Sequence, residues 1–257
     1  MTSKSAYEGS VDLSIDLRAI TGGLMYASVA SRPDIAYAVG FLSRYLDKPT
    51  KHLWSVALKI LRYLSGTKNL GPEYTGNAFN NVEAFSDADW AGCHATRRST
   101  SGMIVLFGGN PIMWRSQRQN NVTLSSQESE IVACSETGKF SVWFARLLGE
   151  IGYSVVPILR VDNTACIQLL TECQVTKRSR HIETRFLWTR EKFEDGELKI
   201  KHCPSDSNIA DLGTKPVPEP QFTHLRNLSG LTENVPSTRD HRRVGGNGQQ
   251  LVLPVRN

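Results

Sequence analysis

The chain has 257 residues, 40% of them hydrophobic, which suffices for one large domain or for a domain with an appendage. Its net charge of +5 indicates a modest preference for polyanionic partners. The five cysteines show no CxxC pair, which argues for reduced thiols and against a disulfide framework or a zinc site. No stretch approaches the roughly 20 apolar residues of a membrane span, and the N-terminus has no signal-peptide core, so we expect a cytosolic or nuclear protein that is not secreted.

The first part of the chain is predicted to be helical. Apolar residues recur at helical spacing between residues 19 and 62, and Pro33 suits the first turn of a helix. Pro49 and Thr50 are expected to begin a further helix with one apolar face. Residues 71–80 contain glycine, proline and asparagine, which favours a linker or a short edge hairpin.

Residue 82 begins a region with the pattern of strands. Strands are predicted at 82–91 and 102–107, and a third follows from Pro111 after a tight glycine turn, which suggests an antiparallel meander. A long helix is predicted at 125–148 and a strand at 155–161. Two helices follow at 164–170 and 181–193, then a strand at 198–202 and a final helix at 208–214. This order suits a five-stranded mixed sheet with helices on its faces.

Four acidic residues stand where such a fold would bring them together. Asp87 and Asp162 end strand-like runs, Glu130 lies early in the long helix, and Asp211 lies at a helix start. The set suits a nuclease with two Mg²⁺ ions about 4 Å apart, which activate water and stabilise the leaving oxygen. Mg²⁺ prefers carboxylate oxygens as ligands, and without a metal ion the clustered carboxylates would repel one another.

Two glutamates of the long helix, Glu128 and Glu130, compete for a place in this cluster. Residues two apart on a helix point roughly 200° away from each other, so only one of them can belong to it. Glu130 is preferred because apolar Ile131 and Val132 follow it directly. Each acid taken alone also fits an ordinary role as a turn, cap or first-turn residue, so only the ordered set favours catalysis.

Several short blocks resemble, in the same order, the ribonuclease H domain of Ty1/copia retrotransposon Pol polyproteins. The blocks lie at residues 85–92 (FSDADWAG), 98–102 (RSTSG), 114–119 (WRSQRQ), 124–130 (LSSQESE), 161–163 (VDN), 180–183 (RHIE) and 208–216 (NIADLGTKP). Residues 31–35 and 61–67 resemble the end of the reverse transcriptase in the same polyprotein. The resemblance implies an α/β, ribonuclease H-like domain at 77–231, preceded by a small helical thumb and connection remnant at 1–76. A tail at 232–257 is predicted to be disordered.

The resemblance also implies an activity, the hydrolysis of RNA in RNA–DNA hybrids. Carried over to this chain, the catalytic and metal-binding residues are Asp87, Glu130, Asp162 and Asp211. They would bind two Mg²⁺ ions, and Mn²⁺ is expected to support the same activity in place of Mg²⁺. The polymerase palm has no counterpart here, so polymerase activity is not expected. Gly213 stands where the family usually has a bulkier apolar residue, and we expect it to loosen the final helix.

Substrate contacts are expected from basic and aromatic side chains beside the carboxylates, because a hybrid is recognised through its shape and phosphates. The candidates are Arg98, Trp114, Arg115, Arg118, Arg178, Arg180 and His181. The alternative for each arginine is a solvated surface charge, and for His181 a helix cap. Trp90 and Trp143 are expected in the core.

Two other functions stay open. The missing palm is compatible with a catalytically silent nucleic-acid-binding remnant of a retrotransposon. An enzyme of the same fold with other chemistry, such as a strand-transferring integrase, is a third possibility, since a fold does not decide the reaction. Besides the hybrid, other regions of a Pol polyprotein are the expected partners, and a membrane is not.

Overall fold

The structure, a computed structural model, describes residues 10–12, 14, 16–74, 81–172 and 183–233, without the side chains of residues 183 and 184. Its N-terminal part is helical, as predicted. The helices are α1 (Leu17–Ala30), α2 (Ala36–Ser43) and α3 (Lys51–Gly66), with a 3-10 turn at Pro33–Ile35 between the first two. We call residues 17–66 the helical part.

The helical part has capped helices and one hydrophobic cluster. Asp16 caps α1 and Thr50 caps α3, each through a side-chain oxygen that accepts a hydrogen bond from a backbone N–H. Leu24 of α1, Val39 of α2 and Leu53 of α3 pack together and are at most 1% exposed. Burying a side chain of this size contributes about 1.5–3 kcal/mol, so contact between the helices stabilises each of them.

A small two-stranded sheet joins distant parts of the chain. Strand β1 (Gly71–Pro72) pairs antiparallel with β7 (Leu231–Thr232). The predicted edge hairpin within 71–80 is therefore wrong for residues 71 and 72, whose partner lies near the end of the described chain. Two-residue strands carry no periodicity, so the sequence pattern gave no signal for this pairing. Residues 75–80 and the tail from 234 lie outside the described residues.

The second part of the chain is built on a five-stranded mixed sheet. Its strands are β2 (Val82–Asp89), β3 (Thr100–Phe107), β4 (Asn110–Arg118), β5 (Ile158–Val161) and β6 (Lys199–His202). They lie in the order β4-β3-β2-β5-β6. Strands β2, β3 and β4 form an antiparallel meander, and β5 and β6 extend the sheet in parallel from β2. The predicted mixed sheet and its meander are confirmed.

Helices cover both faces of this sheet. One face packs against α4 (Ser126–Glu150), α5 (Thr164–Thr171) and α6 (Glu183–Glu194), around buried residues such as Ile131 and Phe186. The other face packs against a 3-10 helix at Ile209–Gly213 and against α7 (Glu219–Leu228). The last predicted helix, 208–214, is therefore a 3-10 helix, which suits its short length.

The helical part is attached to the sheet at its outer strand. The indole N–H of Trp114 in β4 donates a 2.7 Å hydrogen bond to the carbonyl of Ser28 in α1. Arg44, directly after α2, donates a 3.3 Å hydrogen bond to the hydroxyl of Thr100 at the start of β3. A third bond, of 3.4 Å, joins Arg226 of α7 to Tyr63 of α3. These contacts place the helical part beside the edge strand β4.

Three smaller expectations are also decided by the structure. Trp90 and Trp143 are 48% and 54% exposed, so their predicted place in the core is wrong. The four cysteines in the described part of the chain are free and buried, as predicted, while Cys173 lies outside it. Among the described helices, none combines the length and the hydropathy that crossing a lipid bilayer requires.

Candidate active site

Three carboxylates from separate elements meet at one edge of the sheet. Asp87 lies in β2, two residues before the strand ends, and Asp162 directly follows β5. Since β2 and β5 are parallel neighbours, both side chains lie at the same edge. Glu130 reaches this edge from the first turns of α4. One carboxylate oxygen from each residue lies within 4.8 Å of the others, a spacing that fits a metal ion.

Glu130 and its neighbour Glu128 have different surroundings, as the helical geometry predicted. Glu130 is only 6% exposed and faces the cluster. Glu128 instead accepts a 2.6 Å hydrogen bond from the backbone N–H of Leu124, and its own N–H donates to the hydroxyl of Ser125. Glu128 therefore stabilises the start of α4, in a variant of the capping box.

Asp211 also lies near Asp87 and is connected to it through two neighbours. The Lys215 ammonium lies 2.8 Å from Asp211 Oδ1 and 3.7 Å from Asp87 Oδ2. The hydroxyl of Thr214 donates a short hydrogen bond to Asp87 Oδ2. All four predicted carboxylates are thus neighbours, with Asp87 at the centre. Asp211 is not within the group of three that share the 4.8 Å spacing.

The electrostatics of the cluster favour the uptake of a proton or of a cation. Burial, with the charge of Asp87 adding to it, raises the pKa of Glu130 to about 10. Burial and the neighbouring Asp87 likewise raise the pKa of Asp211 to about 7, against the lowering effect of Lys215. Glu130 is therefore protonated at neutral pH unless a cation replaces the proton.

The 3-10 helix that carries Asp211 packs unusually close to the sheet. Asn208, which is fully buried, donates a 3.1 Å hydrogen bond to the carbonyl of Ser86 in β2. A Cβ atom on Gly102 of β3 would lie 2.5 Å from the carbonyl oxygen of Ala210, and one on Gly213 would lie 3.1 Å from Gly102 Cα. The missing side chain of Gly213 therefore permits this contact, while the expected loosening of the element stays a prediction.

Lys215 and Thr214 are site residues that sequence reasoning missed. Both lie in the block at 208–216 that carries part of the resemblance, and Lys215 follows Asp211 by four residues. That spacing places two side chains on the same side of a helical turn, so an ion pair could have been predicted. Asn208 was also overlooked, and its contact with Ser86 has no signal in the local sequence.

The predicted nucleic-acid contacts lie mainly along the edge strand. Arg115 is exposed, and Arg98 and Arg118 are half-buried beside it. Trp114 is half-buried and packs into the hydrophobic cluster against the 3-10 helix, with its N–H engaged by Ser28. The remaining candidates lie outside the described residues: Arg178, Arg180 and His181.

Comparison with known proteins gives clear relatives in sequence. The chain is 38% identical over 214 residues to the retrovirus-related Pol polyprotein from transposon TNT 1-94 of Nicotiana tabacum, a match covering 83% of this chain. It is 34% identical over 224 residues to the Pol polyprotein from transposon RE1 of Arabidopsis thaliana, covering 86% of this chain. The chain spans about 16% and 15% of the length of these two relatives.

Two further matches are to a secreted effector protein and to a solved structure. The chain is 43% identical over 122 residues to the secreted RxLR effector protein 161 of Plasmopara viticola, covering 48% of this chain and 86% of that protein. Among solved structures, LC11-RNase H1 isolated from compost matches with a TM-score of 0.42 and 15% identity, covering 52% of this chain and 93% of that one. No family model matches the chain.

Proposed function

This chain belongs to the Pol polyproteins of copia-type transposons, and from that premise we propose that it is a metal-dependent ribonuclease acting on RNA–DNA hybrids. The observation that supports this most is the meeting of Asp87, Glu130 and Asp162, from three separate elements, within 4.8 Å. A buried cluster of carboxylates is costly unless protons or cations offset its negative charge.

The residues present fit a divalent cation. Glu130 Oε2 is buried and has no hydrogen-bond partner among the residues that the structure describes. A buried, unpartnered carboxylate oxygen is costly unless it is protonated or binds a cation. Two Mg²⁺ ions, replaceable by Mn²⁺, would be held by the carboxylates of Asp87, Glu130, Asp162 and Asp211. Such ions lower the pKa of bound water and stabilise the leaving oxygen.

The chain's own residues then have distinct roles. Thr214 fixes the orientation of Asp87 through the hydroxyl hydrogen bond to Oδ2. Lys215 balances the negative charge of Asp87 and Asp211 when no cation is bound. Glu130 must lose its proton before it can act as a ligand, so cation binding releases a proton to solvent.

Substrate binding is proposed to involve the basic side chains beside the cluster. We assign the phosphate contacts to Arg98, Arg115 and Arg118, which line a groove at β4, and Trp114 would support them as part of this strand. Arg178, Arg180 and His181 remain candidates for the same role. Contacts of this kind recognise the backbone of a hybrid without reading its sequence.

The test is the hydrolysis of a labelled RNA–DNA hybrid by the full chain, the Asp87→Asn variant and the Asp206→Asn variant as matched control. Asp206 is exposed and bonds to its neighbour Ser207 rather than to the cluster. We expect the first variant to cut at least about 100-fold more slowly and the control to cut normally. Equal background rates for all three proteins would contradict the proposal, and binding without cleavage would favour the silent remnant. Cleavage of duplex DNA would favour the integrase-like alternative.

A further inference from the structure

A groove of about 620 Å³ lies between the helical part and the edge strand β4. On one side it is lined by α1 and α2, including Met25 and Val29, and on the other by residues 112–120. It contains none of the four clustered carboxylates. Of the residues that the structure describes, four arginines line it and no aspartate or glutamate does: the arginines are Arg44, Arg98, Arg115 and Arg118. We call it the basic groove.

The arginines of the basic groove have no carboxylate at ion-pair distance in the described part of the chain, although the charge of Arg44 acts on the nearby carboxyl of Asp89. None of the four forms an ion pair with any residue in the described part of the chain. Arg44 donates to the Thr100 hydroxyl, and Arg118 to the Cys93 sulfur at 3.9 Å. Three of the four are half-buried, so part of their hydration is already lost. An anionic ligand would stabilise partly desolvated positive charges that lie this close together.

Other arginines of the described chain, in contrast, form ion pairs with carboxylates. Arg32 is buried against Asp34 at 2.8 Å, Arg146 pairs with Glu197 at 2.7 Å and Arg160 with Glu83 at 2.6 Å. The fold thus supplies carboxylates to several arginines, in the interior and at the surface. Within the described residues it places none at ion-pair distance from the four in the basic groove.

The basic groove begins at the edge of the sheet where the carboxylates lie. Arg44 is bonded to Thr100, which faces Asp89 of β2 on one side and Arg118 of β4 on the other. Asp87 precedes Asp89 by two residues in the same strand. From this end the groove follows β4 away from the cluster for roughly 20 Å, at about 3.4 Å per strand residue. A nucleic-acid strand rises about 3.4 Å per nucleotide, so several phosphates fit along it.

We propose that the basic groove binds the sugar–phosphate backbone of the nucleic acid, and that the helical part supplies half of this surface through Arg44. The identity of that nucleic acid as the hybrid rests on the proposed function. Arginine suits this role because its planar guanidinium donates several hydrogen bonds at once to phosphate oxygens. The hydrogen bond from Trp114 to Ser28 keeps the two walls together, so the groove does not have to form on binding.

The experiment measures binding of a fluorescent hybrid of about 20 base pairs by anisotropy, at several salt concentrations. The Asp87→Asn background prevents cleavage during the measurement. We expect Arg44→Gln with Arg98→Gln to weaken binding ~10-fold and to reduce the slope of log affinity against log salt by about 2, one for each lost phosphate contact. The control replaces Lys59 and Arg62, both exposed on α3, with glutamine, and is expected to leave affinity and slope unchanged.

A second pair of variants keeps the result independent of folding. Arg115 is exposed, so Arg115→Gln removes a groove charge without disturbing packing and is expected to reduce the slope by about 1. Replacing Arg44 with lysine keeps the charge and is expected to keep the slope. Thermal unfolding of each variant checks that it is folded.

The outcomes separate this proposal from the proposed function. Unchanged binding in the Arg44/Arg98 and Arg115 variants, or an equal loss in the Lys59/Arg62 control, overturns the basic groove whether or not hybrids are cut. Failure of the wild-type chain to bind any nucleic acid also overturns it. Normal groove-dependent binding together with no Asp87-dependent cleavage rejects the ribonuclease and leaves the groove standing. Equal sensitivity of poly-glutamate binding to the same variants would show a general polyanion site and would overturn backbone recognition.

Discussion

Replacing Glu130 with glutamine is expected to stabilise the metal-free protein, although it removes a proposed ligand. The side chain is 6% exposed, and its pKa is raised from 4.5 to about 10. Between these values the folded protein holds a proton that the unfolded chain has released, so stability falls as pH rises. From pH 4.5 to 7 this amounts to 2.5 pH units at about 1.4 kcal/mol each, or roughly 3 kcal/mol.

Glutamine has nearly the same shape as a protonated glutamate but does not titrate. Glu130→Gln should therefore match the wild type near pH 5 and exceed its free energy of unfolding by roughly 3 kcal/mol at pH 7, with the gap widening toward pH 9. The assay is urea unfolding with EDTA across this pH range. Glu150→Gln, an exposed position at the end of the same helix, is the control and should show no widening gap. A constant difference between Glu130→Gln and wild type would show that the pKa of Glu130 is not raised.

Two further expectations concern the surroundings of Asp87. Lys215→Met should increase the affinity for Mn²⁺ about tenfold, as measured by calorimetry. The reason is that the bound cation is no longer repelled by the ammonium that lies 2.8 Å from Asp211. Equal or weaker binding of Mn²⁺ would contradict this expectation. Gly102→Ala should lower the free energy of unfolding by about 1–3 kcal/mol, because its Cβ would lie 2.5 Å from the Ala210 carbonyl, and an unchanged unfolding midpoint would argue against the close packing.

Local pattern was sufficient to predict the strands of the sheet and the strand ends that carry Asp87 and Asp162. The alternation of residues located the strands, and their order placed Asp87 and Asp162 at adjacent strand ends, where the structure has them. Helical geometry showed that only one of Glu128 and Glu130 could join the cluster, and the apolar residues Ile131 and Val132 favoured Glu130. These inferences depend on backbone periodicity, which is encoded within a few neighbouring residues.

Contacts between distant segments were not predictable in the same way. Arg44 was not selected, because nothing near it in sequence shows that α2 ends beside β3 and β4. The pairing of β1 with β7 and the contact of Gly102 with Gly213 likewise join residues more than 100 positions apart. Trp90 was expected in the core from its residue type, but its indole N–H donates to the carbonyl of Thr123 and almost half of its surface remains exposed.

The proposed function requires that the carboxylate cluster cuts the RNA strand of a hybrid with the help of a divalent ion. A hybrid labelled on both strands, incubated with the wild-type chain in Mg²⁺ or in EDTA and resolved by product length, measures this step itself. We expect internal cuts in the RNA strand only, present with Mg²⁺ and absent with EDTA. Intact RNA in Mg²⁺, or cuts that persist in EDTA or in the Asp87→Asn variant, would contradict the proposal.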